Sequence, residues 1–78
     1  MPGAPPREVV AIGAEALIAG FALVGVRLAP AVSAGEVRAA WQRALATAGV
    51  VILTPAAAEV LAQDRTGLHA PLTVVMPP

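Results

Sequence analysis

The chain has 78 residues, 58% of them apolar, and its five basic and five acidic side chains cancel. That length holds one domain with one small core, and balanced charge with scattered arginines argues against nucleic acid as a partner. The absence of cysteine excludes a disulfide framework and a thiolate metal site. No run reaches the roughly 18 to 20 apolar residues of a spanning helix, so the sequence predicts a water-soluble fold without direct membrane insertion.

In chain order, Met1-Pro2-Gly3-Ala4-Pro5-Pro6 lacks the basic and apolar regions of a secretory signal. Residues 1–7 are predicted to be a flexible lead, residues 8–78 a single α/β domain, and the location cytoplasmic. Glu8 to Gly13 is an unalternated apolar run closed by glycine, the pattern of a strand covered on both faces. Ala14 to about Ala19 is helical by composition, with Glu15 in the first turn, where it complements the macrodipole. Gly20 and Gly25 then bracket Phe21 to Val24, over which the pattern does not fix where helix yields to strand.

Gly25 to Leu28 is expected to be an edge strand, because Arg27 interrupts its apolar run. Ser33 to Ala48 carries the clearest helical signal. Ser33 and Glu36 have the spacing of a capping box, and Val37, Ala40, Trp41, Ala44, Leu45 and Ala48 form an apolar stripe. Arg38, Gln42 and Arg43 are left for the outer side. Gly49 is expected to supply a left-handed stop. Val50 to Leu53 reads as a second central strand, and Thr54-Pro55 as the cap and first position of a helix running to about Arg65, ended by Gly67. Leu72 to Met76, hemmed by Pro71, Pro77 and Pro78, is a second edge strand.

Regular alternation of strands and helices predicts an α/β fold with a parallel sheet built by right-handed crossovers. With the first and third strands most apolar, the spatial order is 2-1-3-4, a truncated flavodoxin-like or receiver-like arrangement. Such sheets bind ligands at the carboxyl ends of the central strands, here Gly13 to Glu15 and Thr54 to Ala56. A phosphorelay receiver needs an acidic cluster after strand one and an aspartate after strand three, where this chain has Thr54-Pro55. Gly13, Gly20 and Gly25 lack the spacing of a phosphate-binding loop. His69, in the expected loop before the fourth strand, lacks the acid and serine pair of a triad, and a lone histidine falls short of a metal's ligand count. Asp64 and Arg65 read as a solvated pair, and Trp41 as core before interface. No cofactor, metal or catalytic residue is therefore expected.

Taken together, several of these segments are similar to the F-subunit family of the V/A-type (vacuolar/archaeal-type) ATPases. They are Val9-Val10-Ala11-Ile12-Gly13, then Gly20-Phe21-Ala22-Leu23-Val24-Gly25-Val26, then Gly49 to Thr54 with Glu59-Val60, and finally Pro71 to Pro77. The resemblance implies a small Rossmann-like domain on the central stalk, the rotor of the enzyme. There it packs beside the coiled coil formed by the D stalk subunit and near the stalk subunit that couples to the membrane ring. Such a component transmits torque during ATP-driven ion (proton) transport or ATP synthesis, peripheral to the membrane, and leaves ATP chemistry to other subunits. The chain departs from the family at Ala14, where an acidic residue is usual, and at Ala22, often basic. It shows no counterpart of the family's carboxyl-terminal helix before Pro78, so regulation through that helix is not carried over.

Two surfaces are candidates for the partner. One is the segment containing Phe21, Leu23, Val26, Arg27 and Leu28, with its free strand edge. The other is the outer face of the long helix, with Arg38, Gln42 and Arg43. Two other functions fit the same pattern: a degenerate receiver-like module that binds protein without being phosphorylated, and a small catalyst using Glu15, Thr54 or His69.

Overall fold

The computed structural model of the chain describes residues 8–62 and 71–77. Four strands, β1 (Glu8–Gly13), β2 (Arg27–Pro30), β3 (Ala48–Leu53) and β4 (Leu72–Val75), form one parallel sheet in the order β2-β1-β3-β4. Three α-helices connect them: α1 (Glu15–Ile18), α2 (Ala34–Leu45) and α3 (Pro55–Val60), with a 3-10 helix at Ala19–Val24. The fold class and strand order are those predicted. The two most apolar strands are central, and the strands marked by arginine or flanking proline lie at the edges.

Topology decides how the faces are covered. The chain moves one way from β1 to β2 and the other way from β2 to β3 to β4, so right-handed crossovers put α1 on one face and α2 and α3 on the other. On the α2–α3 side, Val10 and Ile12 of β1 and Val51 and Leu53 of β3 meet Val37, Ala40, Trp41 and Ala44 of α2 and Ala57, Ala58 and Leu61 of the α3 region. This is the core, and Trp41 is its largest side chain. Alanine at four of the helical positions lets both helices lie close to the sheet. On the other side Ala11 and Ile18 are fully buried, and α1 lies against β1 and β2.

The boundaries correct the sequence reading in several places. Helix α2 ends at Leu45, and Leu45 itself is 41% exposed, outside the stripe that buries Val37, Ala40, Trp41 and Ala44. Thr47 is held at the entrance of β1, where its carbonyl accepts the Glu8 amide and its hydroxyl donates to the Glu8 carboxylate. Strand β3 therefore begins at Ala48. Gly49 lies inside it and is no helix stop: the register steps from Glu8 opposite Ala48 to Val9 opposite Val50, so Gly49 is the extra residue of a β-bulge. Strand β2 starts two residues late, because Gly25 takes a left-handed conformation (φ +85°) to end the 3-10 helix. The chain straightens only after Val26, whose amide bonds back to Phe21. Helix α3 stops at Val60, with Leu61 turned into the core. Arg65, Gly67 and the lead at residues 1–7 lie outside the described residues.

Candidate functional surfaces

The carboxyl ends of β1 and β3, where such sheets hold ligands, are closed by the chain itself. The Thr54 amide bonds to the Ile12 carbonyl at 3.2 Å and the Ala31 amide to the Gly13 carbonyl at 2.9 Å. Thr54 is buried, and its hydroxyl accepts the Ala57 amide as the cap of α3. Its side chain packs directly on Gly13: a Cβ there would overlap the Thr54 methyl and lie 2.6 Å from the hydroxyl oxygen. Thr54 thus fills the crevice between the central strands, and its hydroxyl is committed to a backbone partner. Glu15 stands exposed in the first turn of α1. His69, Asp64 and Arg65 lie outside the described residues. Among the described residues no group of acidic or histidine side chains is arranged to hold a metal ion.

The surface is richer than the crevice. In a parallel sheet, residues paired across strands point to the same face, so Val9, Val50, Ile52, Leu72 and Val74 all face the α1 side. Helix α1 covers only the β1–β2 half of that face. Over β3 and β4 no described element covers it: Val50 and Ile52 are half-buried, Val74 is 48% exposed and Leu72 66%. Parallel sheets are normally covered on both faces, so this bare apolar strip is the most anomalous surface of the fold. Leu17 of α1 and Leu23 of the 3-10 helix are also exposed, Leu23 at 90%.

A second feature lies on the opposite face, at its β2 edge. Helix α2 sits over the centre of the sheet, which leaves a shoulder beside β2 and a cleft of about 220 Å³. Val10, Ala29, Ala40 and Ala44 line it with aliphatic groups, and Arg27, Arg43 and Thr47 line it with polar ones. One Glu8 carboxylate oxygen binds both the Arg27 guanidinium, at 3.1 Å, and the Thr47 hydroxyl, at 2.9 Å. The Thr47 hydrogen bond, then that of Arg27, holds the Glu8 carboxyl below its ordinary value.

The two candidate surfaces from sequence are therefore partly one. Arg27 and Leu28 of β2 and Arg43 of α2 line the same cleft. Phe21 and Val26 are half-buried, and Leu23 is exposed on the 3-10 helix. Arg38 and Gln42 are exposed on α2 and do not line the cleft. Leu72 and Val74 were not singled out by sequence reading. The signal was present as an apolar edge strand, but which face lacked a helix depends on the strand order. No helix among the described residues is long and apolar enough to cross a membrane. No family model matches the chain, and no curated protein matches its sequence.

Proposed function

We propose that the chain is a non-catalytic docking subunit whose partner is a coiled coil, in the manner of the F subunit on the central stalk of a V/A-type rotary ATPase. The observation that carries the reading is the bare apolar strip over β3 and β4, with Leu72 and Val74 in solvent. Two strands spaced about 4.8 Å apart make a strip about as wide as a helix, whose diameter is about 10 Å. A helix laid beside α1 completes the second layer of the fold. The order of the segments similar to that family and the 2-1-3-4 sheet support the rotor role. In that role the protein is a cytoplasmic, membrane-peripheral part of the complex. It bears on the coupling of ATP turnover to ion transport, beside the coiled-coil stalk subunit and the ring-coupling subunit.

The test is binding to the purified coiled-coil stalk subunit. Co-elution is expected, together with a higher melting temperature. At a ligand concentration about 100-fold above Kd, binding adds about 2.7 kcal/mol, which for a domain of this size is a rise on the order of 10 °C. Separate elution and an unchanged melting curve overturn the reading. The receiver-like alternative shares the sheet order, and incorporation of phosphate from a small phosphodonor would favour an active form of it.

A further inference from the structure

We propose that the outer edge of β4 pairs with the same edge of a second copy of this chain, antiparallel about a two-fold axis through Val74, so that the two sheets join into one. The pairing uses the backbone edge of β4, whereas the docking reading uses the face of the strip, so each stands or falls by its own measurement.

The two edges of the sheet meet solvent differently. On β2 the Ala31 amide bonds to Gly13 of β1, so by alternation Leu28 and Pro30 turn their backbone outward, and proline has no amide to donate. Arg27, paired with Glu8, adds charge to that edge. Proline and charge are the devices by which edge strands resist pairing. Strand β4 has neither within Leu72–Val75, and Leu72, Val74 and Val75 are exposed. No strand lies on its outer side among the described residues.

Hydrogen-bond direction selects both the occupant and the register. The Met76 amide bonds to the Leu53 carbonyl at 2.8 Å, so by alternation Val74 also turns toward β3, and Thr73 and Val75 turn their amides and carbonyls outward. Pro71 and Pro77 flank these donors and have none of their own, and the Pro71 carbonyl already accepts the Thr73 hydroxyl. An antiparallel copy satisfies every outward group of Thr73 and Val75 when Thr73 lies opposite the second copy's Val75 and Val75 opposite its Thr73. A shift of two residues either way sets a proline opposite one of them and loses donors. In the satisfied register Val74 faces its own counterpart and Leu72 faces Met76, apolar against apolar on the α1 side. Both strands are satisfied alike and no charge repels like from like, which is what points to a second copy. Strand β4 has 4 residues, so the contact falls short of the roughly 1,200–2,000 Å² of a stable interface. The dimer is therefore weak, with a Kd on the order of 100 µM.

Sedimentation equilibrium of the full chain, from about tenfold below to about tenfold above that value, is expected to show monomer passing to dimer. Thr73→Pro removes an outward amide that the pairing with β3 does not use, and should weaken dimerisation about tenfold or more. Thr73→Val keeps that amide and should match the parent. Fluorescence of Trp41, the sole tryptophan and buried, verifies the fold of each. The register is tested by cross-linking, because the chain has no cysteine of its own. Val74 and its counterpart form a non-hydrogen-bonded pair with Cα atoms about 4.5 Å apart, within reach of a disulfide, whereas Leu72 and its counterpart are about 13 Å apart. Val74→Cys should oxidise to a covalent dimer and Leu72→Cys should not, a result that decides the matter even if Thr73→Pro fails to fold. A monomer at every concentration, undiminished dimerisation of a folded Thr73→Pro, or equal cross-linking of the two cysteine variants, as stacking of two apolar strips would give, each overturns the pairing.

Discussion

Gly13 and Thr54 show how one pair of residues can decide what a fold is able to hold. The only side chain that fits at position 13 is a hydrogen, because the threonine that caps α3 already occupies the space beyond it. Gly13→Ala is therefore expected to displace Thr54 or the strand end, at a cost of about 1–3 kcal/mol for overpacking, read as a fall in melting temperature on the order of 10 °C. Gly20 has nothing within 4 Å of the same added atom. Gly20→Ala should leave the melting temperature unchanged or raise it slightly through lower unfolded-chain entropy, and a loss as large as that of Gly13→Ala would remove the close-packing explanation. Glycine at the end of β1 was legible as a strand terminator, but its contact with Thr54 was not, since it joins residues brought together only by the pairing of β1 with β3.

At the level of elements, local chemistry was read well and its limits were set by tertiary contacts. The capping box at Ser33 and Glu36 is fully formed: the Ser33 hydroxyl accepts the Glu36 amide at 3.1 Å, and the Glu36 carboxylate accepts the amides of Val32 and Ser33 at 2.9 and 3.1 Å. Such a motif is visible in sequence because both partners lie within one turn. The end of α2 was misplaced because Thr47 answers to Glu8, far away in the chain. Hydrogen bonds from Val32 and Ser33 lower the Glu36 pKa from its ordinary 4.5, and Glu8 is lowered likewise. A carboxyl with a depressed native pKa contributes stability above its unfolded pKa and loses it as pH falls through the native one. The melting temperature should hold down to about pH 5 and drop below about pH 4.5, and the Glu8→Gln, Glu36→Gln double variant should flatten that acid limb, since glutamine keeps part of the cap. Ser33→Ala should cost about 1 kcal/mol at neutral pH, and equal acid sensitivity in the double variant and the parent would show that these carboxyls do not govern it.

For the molecule as a whole, strand order turns a list of apolar segments into one face covered by α2 and α3 except at Val75 of the edge strand and one half-covered face. Apolar content marked all four strands in the sequence, yet the exposure of Leu72 and Val74 follows from where the crossovers put α1, α2 and α3. Leu72→Ser with Val74→Ser should therefore alter stability little, because exposed substitutions usually stay within about 0.5 kcal/mol, while abolishing the proposed co-elution with a stalk coiled coil. Retained binding in this variant, with the fold intact, would move the docking site off the strip.

The pairing of β1 with β3 also sets the order in which the chain assembles. Glu8 meets Ala48 and Ile12 meets Leu53, so the middle of the sheet joins stretches separated by two complete crossovers. Closing a loop of that length comes before the contacts that reward it. During synthesis β1 can find β2 early, but its other edge stays unmatched until Leu53 has left the ribosome, and until then the nascent chain presents an open, aggregation-prone ladder for chaperones to shield.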